Sequence, residues 1–526
     1  MTWSIRSASA RGAAIAAALA IQLQIGFAAD DAASRAKQAI VQGRYDEAER
    51  QASAALDSFA ADDESAASMR ARNLLVTARI KNGKAADSAT VALAQLAVQH
   101  TERRFGRSDR RMLHSLHNFA ALLRERGEFD RALTIAQRSL AIDSRIAADN
   151  RLRADLLDET ASILIALERF RDARTAITRS LAIREHDTID GSVDLAQTLG
   201  IYGLLEREAG EYAHAAALLE RAIGLWEQSG LDHPGKASAL ASRGDVFYLT
   251  GDIANAERAW TEALDVGRRT LRPGHPALAA FLRHTADAQF VKGRLGDARR
   301  TKDEALQLGR ATLAPCAPEL SWLVTDLGVS LHADGDYNGA EDLYRQALDT
   351  AERCSRGTST VATAAYNLAS VASARGDLLQ ADALGRRAMQ IWSTRLGATH
   401  PFVARALDMR ADTATARREY VPAMRLLRQA LAIRRTTLGP MHPQVGWNLR
   451  AIADIQARSG EPEVAKHTVT EAIRIFNKSP KQRRRARRAS PPRSTRPANR
   501  WISLRPGWIS RRRAPPDSSF METTIL

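Results

Sequence analysis

A short string recurs along this chain at an almost fixed interval. Its form is Gly, any residue, an aromatic or aliphatic residue, two more residues, then Ala. Copies begin at Gly43, Gly127, Gly210, Gly251, Gly293, Gly335, Gly376 and Gly460. Glu168 and Arg418 replace the glycine in two further copies, and Gly83 opens a poorer one. From 127 onward the steps are 41, 42, 41, 42, 42, 41, 42 and 42 residues. So regular a ruler implies a repeat architecture in which each unit covers its neighbour.

Each period reads as two helices. An apolar pattern of helical spacing precedes the glycine, as in 113–127, and another follows it, as in 130–142. The glycine ends the first helix because it adopts the left-handed conformation of a helix C-terminus. The acid that often follows suits the positive end of the second helix. The alanine of each string is small and lets two helices approach closely. Prolines agree with this reading. Seven of the 17 lie after 477; eight of the rest fall between repeats, and Pro422 and Pro462 fall in the first turn of a second helix. The predicted fold is therefore all-α, a right-handed α-α superhelix of ten to eleven hairpins over residues 33–477. The stretch 57–68 is expected to be a loop, and the pairs before 110 are the least regular.

Charge separates the two ends from this body. The chain of 526 residues has a formal charge of +16. Residues 478–526 hold 14 Lys/Arg against two acids, so the rest is close to neutral. This Arg/Pro/Ser-rich tail is expected to be disordered, and three readings of it stand. It contacts an anionic surface, with Trp501 and Trp508 at the interface; it lies in an acidic groove of its own chain; or it is the product of a shifted reading frame. Nucleic acid is the less favoured partner. At the other end, Arg6 and Arg11 precede an apolar stretch, Gly12–Ile25, and Gly26-Phe27-Ala28 offers a cleavage site. Residues 1–28 read as a signal peptide, which places the mature chain outside the cytoplasm. No apolar run reaches the length of a membrane span.

The repeats resemble tetratricopeptide repeats of the long, kinesin-light-chain-like kind. Besides the glycine turn, they share an Ala-Leu-x-Ile string (139–142, 180–183, 430–433) and a Leu-Gly-x-x-His-Pro connector (396–401, 438–443, and 271–276 in altered form). The resemblance implies noncatalytic work: a peptide or protein partner held along a concave face lined by first helices, with no cofactor. In some exported relatives such an array precedes a CHAT-type peptidase domain. The alternative function is therefore a substrate-recruiting array whose catalytic part is missing or separate.

Helical periodicity gives the expected groove. Nine residues before each turn lie Asn118, Glu159, Asp326 and Asn367. The family favours asparagine there, to bond a ligand's backbone. Six before lie Asp245, Asp287, Asp412 and Asp454; thirteen before lie Trp322 and Trp447, with Arg405 and His114. An acidic, aromatic-dotted groove would suit a basic peptide. The other reading is a solvated aspartate face with tryptophans packed between helices. Arg243-Gly244-Asp245 reads as helix. His233, His275, His400 and His442 each precede a proline in separate connectors and read as helix starts rather than metal ligands. Cys316 and Cys354 lie in or beside successive connectors, as a disulfide pair or as two thiols.

Overall fold

Residues 28–60, 63–146, 149–186, 192–355 and 357–478 are described by the computed structural model. The leader and the basic tail lie outside them, apart from their boundary residues. All regular structure among the described residues is α-helical. The helices run in order as α1 (28–41), α2 (Tyr45–Asp57), α3 (Ala66–Lys81), α4 (Ser88–Phe105), α5 (Met112–Glu125) and α6 (Phe129–Ile146). Next come α7 (Asn150–Ala166), α8 (Phe170–His186), α9 (Ser192–Glu208), α10 (Tyr212–Ser229), α11 (Pro234–Leu249) and α12 (Ile253–Thr270). They continue as α13 (Ala277–Val291), α14 (Leu295–Thr312), α15 (Pro318–Ala333), α16 (Tyr337–Cys354) and α17 (Ser359–Ala374). The last are α18 (Leu378–Leu396), α19 (Pro401–Ala416), α20 (Tyr420–Thr437), α21 (Pro443–Arg458) and α22 (Pro462–Lys478). Odd-numbered helices are the first helices of hairpins and even-numbered ones the second. The hairpins before 110 are formed like the rest, and the loop after α2 ends by Ala66.

The turn of each hairpin follows from its glycine. At Gly127, φ is +77°, a region that a side chain strains. The Gly127 amide donates to the Arg124 carbonyl at 2.9 Å, and the Glu128 amide to the Leu123 carbonyl at 2.9 Å. This pair of bonds satisfies carbonyls that the helix end leaves open. Glu168 and Arg418 keep the same turn at φ of +59° and +63°. Five residues beyond, the alanine of the string is fully enclosed in nearly every repeat, as at Ala48, Ala132, Ala173, Ala215 and Ala256.

The other end of each hairpin is set by histidine. The Nδ1 atom of His275 accepts from the Ala277 amide at 3.1 Å, and that of His442 from the Gln444 amide at 3.2 Å. His233 and His400 do the same for Gly235 and Phe402. The imidazole thus caps a helix whose first residues include proline.

The chain forms two compact units. One holds residues up to 246, 254–285 and 301–323; the other holds 247–253, 286–300 and 324 onward. The core of the first is continuous from Val76 to Ala222 and includes Leu122, Leu157, Ile163, Ile177 and Leu205. Each such leucine or isoleucine, fully buried, contributes about 2 kcal/mol. The second unit is built around Trp392, Ala404 and Leu407, then Leu427, Leu449 and Ile455.

Within each unit the chain also meets itself about 190 residues later. The Arg272 Nε donates to the Asn82 carbonyl at 3.0 Å, and His275 Nε2 lies 3.0 Å from the Lys81 carbonyl. With Nδ1 already accepting, Nε2 carries the proton and donates. Gly83 is pressed against Pro276, Gly43 against His233 and Pro234, and Gly127 against the backbone of Cys316. In the second unit Gly251 faces His442 in the same way. The connector of a late hairpin therefore sits on the glycine turn of a much earlier one.

Candidate functional site

The expected groove residues divide sharply. Asn118, Glu159, Asp287, Asp326 and Asn367 are buried, and the Asp245 side chain is largely so. Asp412 and Asp454 are exposed, and Trp322 and Trp447 are half-buried. Most of the set lies between helices instead of lining an open surface.

Their contacts explain why. Asn118 on α5 donates to the Asn73 carbonyl on α3 at 2.9 Å and accepts from the Thr77 hydroxyl at 2.9 Å. Glu159 on α7 pairs with Arg124 on α5, Nε to Oε1 at 2.7 Å. Burial pushes the Glu159 carboxyl up, but Arg124, His117 and Lys81 together hold it below its ordinary value. Asp245 on α11 pairs with Arg207, accepts from the Trp260 Nε1 at 3.0 Å, and lies 3.1 Å from the His284 Nδ1. Burial raises its pKa against the pull of Arg207 and Arg283. The Arg243-Gly244-Asp245 string is thus helix interior. Asp454 pairs with Arg458 at 2.8 Å, and Asp287, Asp326 and Asp412 also have partners. The acidic column is neutralised inside the chain, which removes the charge that a basic peptide would need. Trp447 packs on Phe476 with ring centroids 4.9 Å apart and lies under Arg450.

Cys316 and Cys354 are both disulfide-bonded. Among the described residues no cluster of three or more His, Cys, Asp or Glu is arranged to hold a metal ion. No described helix is long and apolar enough to cross a membrane.

One region departs from this pattern of internal satisfaction. Asn367 on α17 is 1% exposed, and neither its Nδ2 nor its Oδ1 has a hydrogen-bond partner. On α19, Arg405 is 6% exposed, and its Nε, Nη1 and Nη2 atoms are likewise unbonded. The Arg405 guanidinium carbon lies 4.9 Å from the Tyr366 ring centre and 5.4 Å from that of Phe402. Burial pulls its pKa below the usual arginine value, against the Tyr366 and Tyr248 hydroxyls that lie close enough to favour its charge. The neighbouring carboxylate, Asp408, is engaged elsewhere. It pairs with Arg434 on α20 and accepts from Asn448 on α21 at 2.9 Å. Sequence spacing placed both Asn367 and Arg405 on first helices; it carried no sign that their polar atoms stay unbonded.

The comparisons with known proteins agree with this architecture. The profile of the MalT-like TPR region matches residues 197–488, and a tetratricopeptide-repeat profile matches 111–186. No curated protein matches the chain. Among solved structures, a Rap protein complexed with competence and sporulation factor superposes with a TM-score of 0.54 at 13% identity. The match covers 70% of this chain and 98% of that one. A putative kinesin light chain of Podosopora anserina with nearly identical TPR-like repeats is 21% identical over 39% of this chain and 98% of its own, with a TM-score of 0.31. BtubC (BKLC) from P. vanneervenii is 22% identical over 47% of this chain and 94% of its own, with a TM-score of 0.35. The recurring glycine turns, the stacked helical hairpins and a profile match over more than half the sequence lead to one conclusion: the chain belongs to the tetratricopeptide-repeat family, with a MalT-like TPR region.

Proposed function

We propose that this chain is a noncatalytic scaffold that holds a peptide or protein partner against its first helices. The observation that supports this most directly is Asn367. A buried primary amide with donor and acceptor both idle destabilises the unliganded fold by about 1–3 kcal/mol. The same two groups, side by side, match the carbonyl and amide of one peptide unit. Asn118, at the equivalent position, has given both to its own fold, so the property belongs to Asn367 and not to asparagine at that place. The Rap protein of similar fold is itself known in complex with competence and sporulation factor.

The test is Asn367→Leu. It fills the same space without polar atoms, so the folded chain is expected to be as stable as before, or more so. Binding to an array of immobilised decapeptides should weaken by about tenfold. Unchanged binding would reject Asn367 as a contact; an array with no binders at all would reject the peptide scaffold.

The proposal includes export. Its supports are the basic, apolar and small-residue order of 1–28 and two disulfide-bonded cysteines, which suit an oxidising compartment. Recovery of the chain from cytoplasm with an intact N-terminus would reject it.

A further inference from the structure

Charge balance in the second unit leaves one cation unanswered. Arg405 and Arg434 are both buried, at 6% and 4% exposure, and Asp408 is shared between Arg434 and Asn448. Arg434 keeps a bond to the Gln444 side chain at 3.4 Å, but its Nη1 is idle, as is the Oδ1 of Asn448. Around Arg405 stand rings: Tyr366, Phe402 and, beyond them, Trp392. Rings stabilise a guanidinium through their faces and leave its N–H groups in want of acceptors. A buried charge is retained only when something pairs with it. Everywhere else noted above, this fold supplies the partner: Arg124 has Glu159 and Arg207 has Asp245.

We infer that Arg405 is a recognition site for a carboxylate carried by the bound partner, with Asn367 on the preceding first helix holding the partner's backbone. A guanidinium edge and a carboxylate match in plane, two N–H groups to two oxygens. The group is close to the surface, since Phe402 and Asp408 are half-buried and Asp412 is exposed. The inference rests on the scaffold reading above and gives that partner a chemistry opposite to the one the acidic column suggested. The carboxylate comes either from an Asp or Glu side chain or from the partner's C-terminus.

The experiment uses the full chain and an array of decapeptides in matched sets. Each Asp- or Glu-containing member has an Asn or Gln twin, and each is made with a free and with an amidated C-terminus. The wild type should prefer the acidic member by about thirtyfold or more. Preference tied to the side chain or to the terminus identifies the source. Arg405→Met should abolish the preference while leaving the thermal midpoint of the unliganded chain unchanged or raised by roughly 2–4 °C. Arg405→Lys keeps the charge without the fork and should retain only part of the preference. Binding without acidic preference, or a preference that survives Arg405→Met, overturns the carboxylate site and leaves the scaffold standing. A lower midpoint for Arg405→Met that Arg405→Lys restores also overturns it, because the cation would then be serving the fold alone. No binding by any member overturns the scaffold reading and this inference with it.

Discussion

The meeting of Gly127 with Cys316 can be tested by adding one carbon atom. In Gly127→Ala the new Cβ would lie 1.8 Å from the Cys316 carbonyl oxygen and 2.6 Å from its carbonyl carbon. Both are backbone atoms, so no side chain can swing aside; the connector or the end of α5 must move by more than an ångström. Left-handed backbone strain in an alanine costs about 1–2 kcal/mol, and overpacking adds about 1–3 kcal/mol. A total of about 2–5 kcal/mol is therefore expected. Gly335→Ala isolates the first component, since its φ is +83° and nothing lies within 4 Å of the added carbon. Glu168 and Arg418 show that this component alone is tolerated. Gly43→Ala should fall between the two, because its Cβ would meet the movable ring of His233 and the ring of Pro234 at 2.6 Å. Urea unfolding of the three variants gives the ordering. Repeat arrays depart from two-state behaviour, so hydrogen exchange at the amides of 313–317 provides the local reading. Equal losses in Gly127→Ala and Gly335→Ala, with unchanged exchange in the connector, would refute the contact.

Two titrations have opposite signs. Burial, helped by Lys81, lowers the His233 pKa to about 4, so the folded chain binds fewer protons than the unfolded one below the ordinary value near 6.5. Stability from this site is complete above pH 6.5 and falls by about 3 kcal/mol as pH drops to 4. His233→Asn keeps a capping acceptor and should flatten that part of the pH–stability curve; an unaltered curve would deny His233 its role. Burial raises Asp158 to about 7 despite bonds from Ser180 and Thr198 and the charge of Arg184. Its contribution is present at low pH and is lost as pH rises through 7, by about 4 kcal/mol. Asp158→Asn should therefore stabilise the chain at pH 8 and do little at pH 4; equal effects at both would argue that the carboxyl is not buried.

The hairpins were legible because each depends on residues within one period. A glycine at φ near +80°, an alanine with no exposed surface and a histidine capping the next helix all act over a few positions. The use of each first-helix position was not legible. Asn118 finds the Thr77 hydroxyl 41 residues earlier, whereas the residue in the same register before Asn367 is Asp326, whose carboxylate has no proton to donate. The aspartates six before each turn gave the same residue two fates, buried and paired at Asp245 but exposed at Asp454. Contacts across about 190 residues, such as Gly127 with Cys316, leave no periodic trace, because the glycine is already required by its own turn.

Those long-range contacts change what kind of object the array is. A stack that touches only its neighbours can lose a terminal module and keep the rest. Here the turn at Gly83 stays covered only while residues 272–276 are present, and the turn at Gly127 only while 316 and 317 are. Shortening the chain from its C-terminal side would expose sockets in hairpins far from the cut. Lengthening it by a whole hairpin would not, because every repeat brings a socket and a connector of its own. Duplication is then an easier evolutionary route for such a protein than trimming.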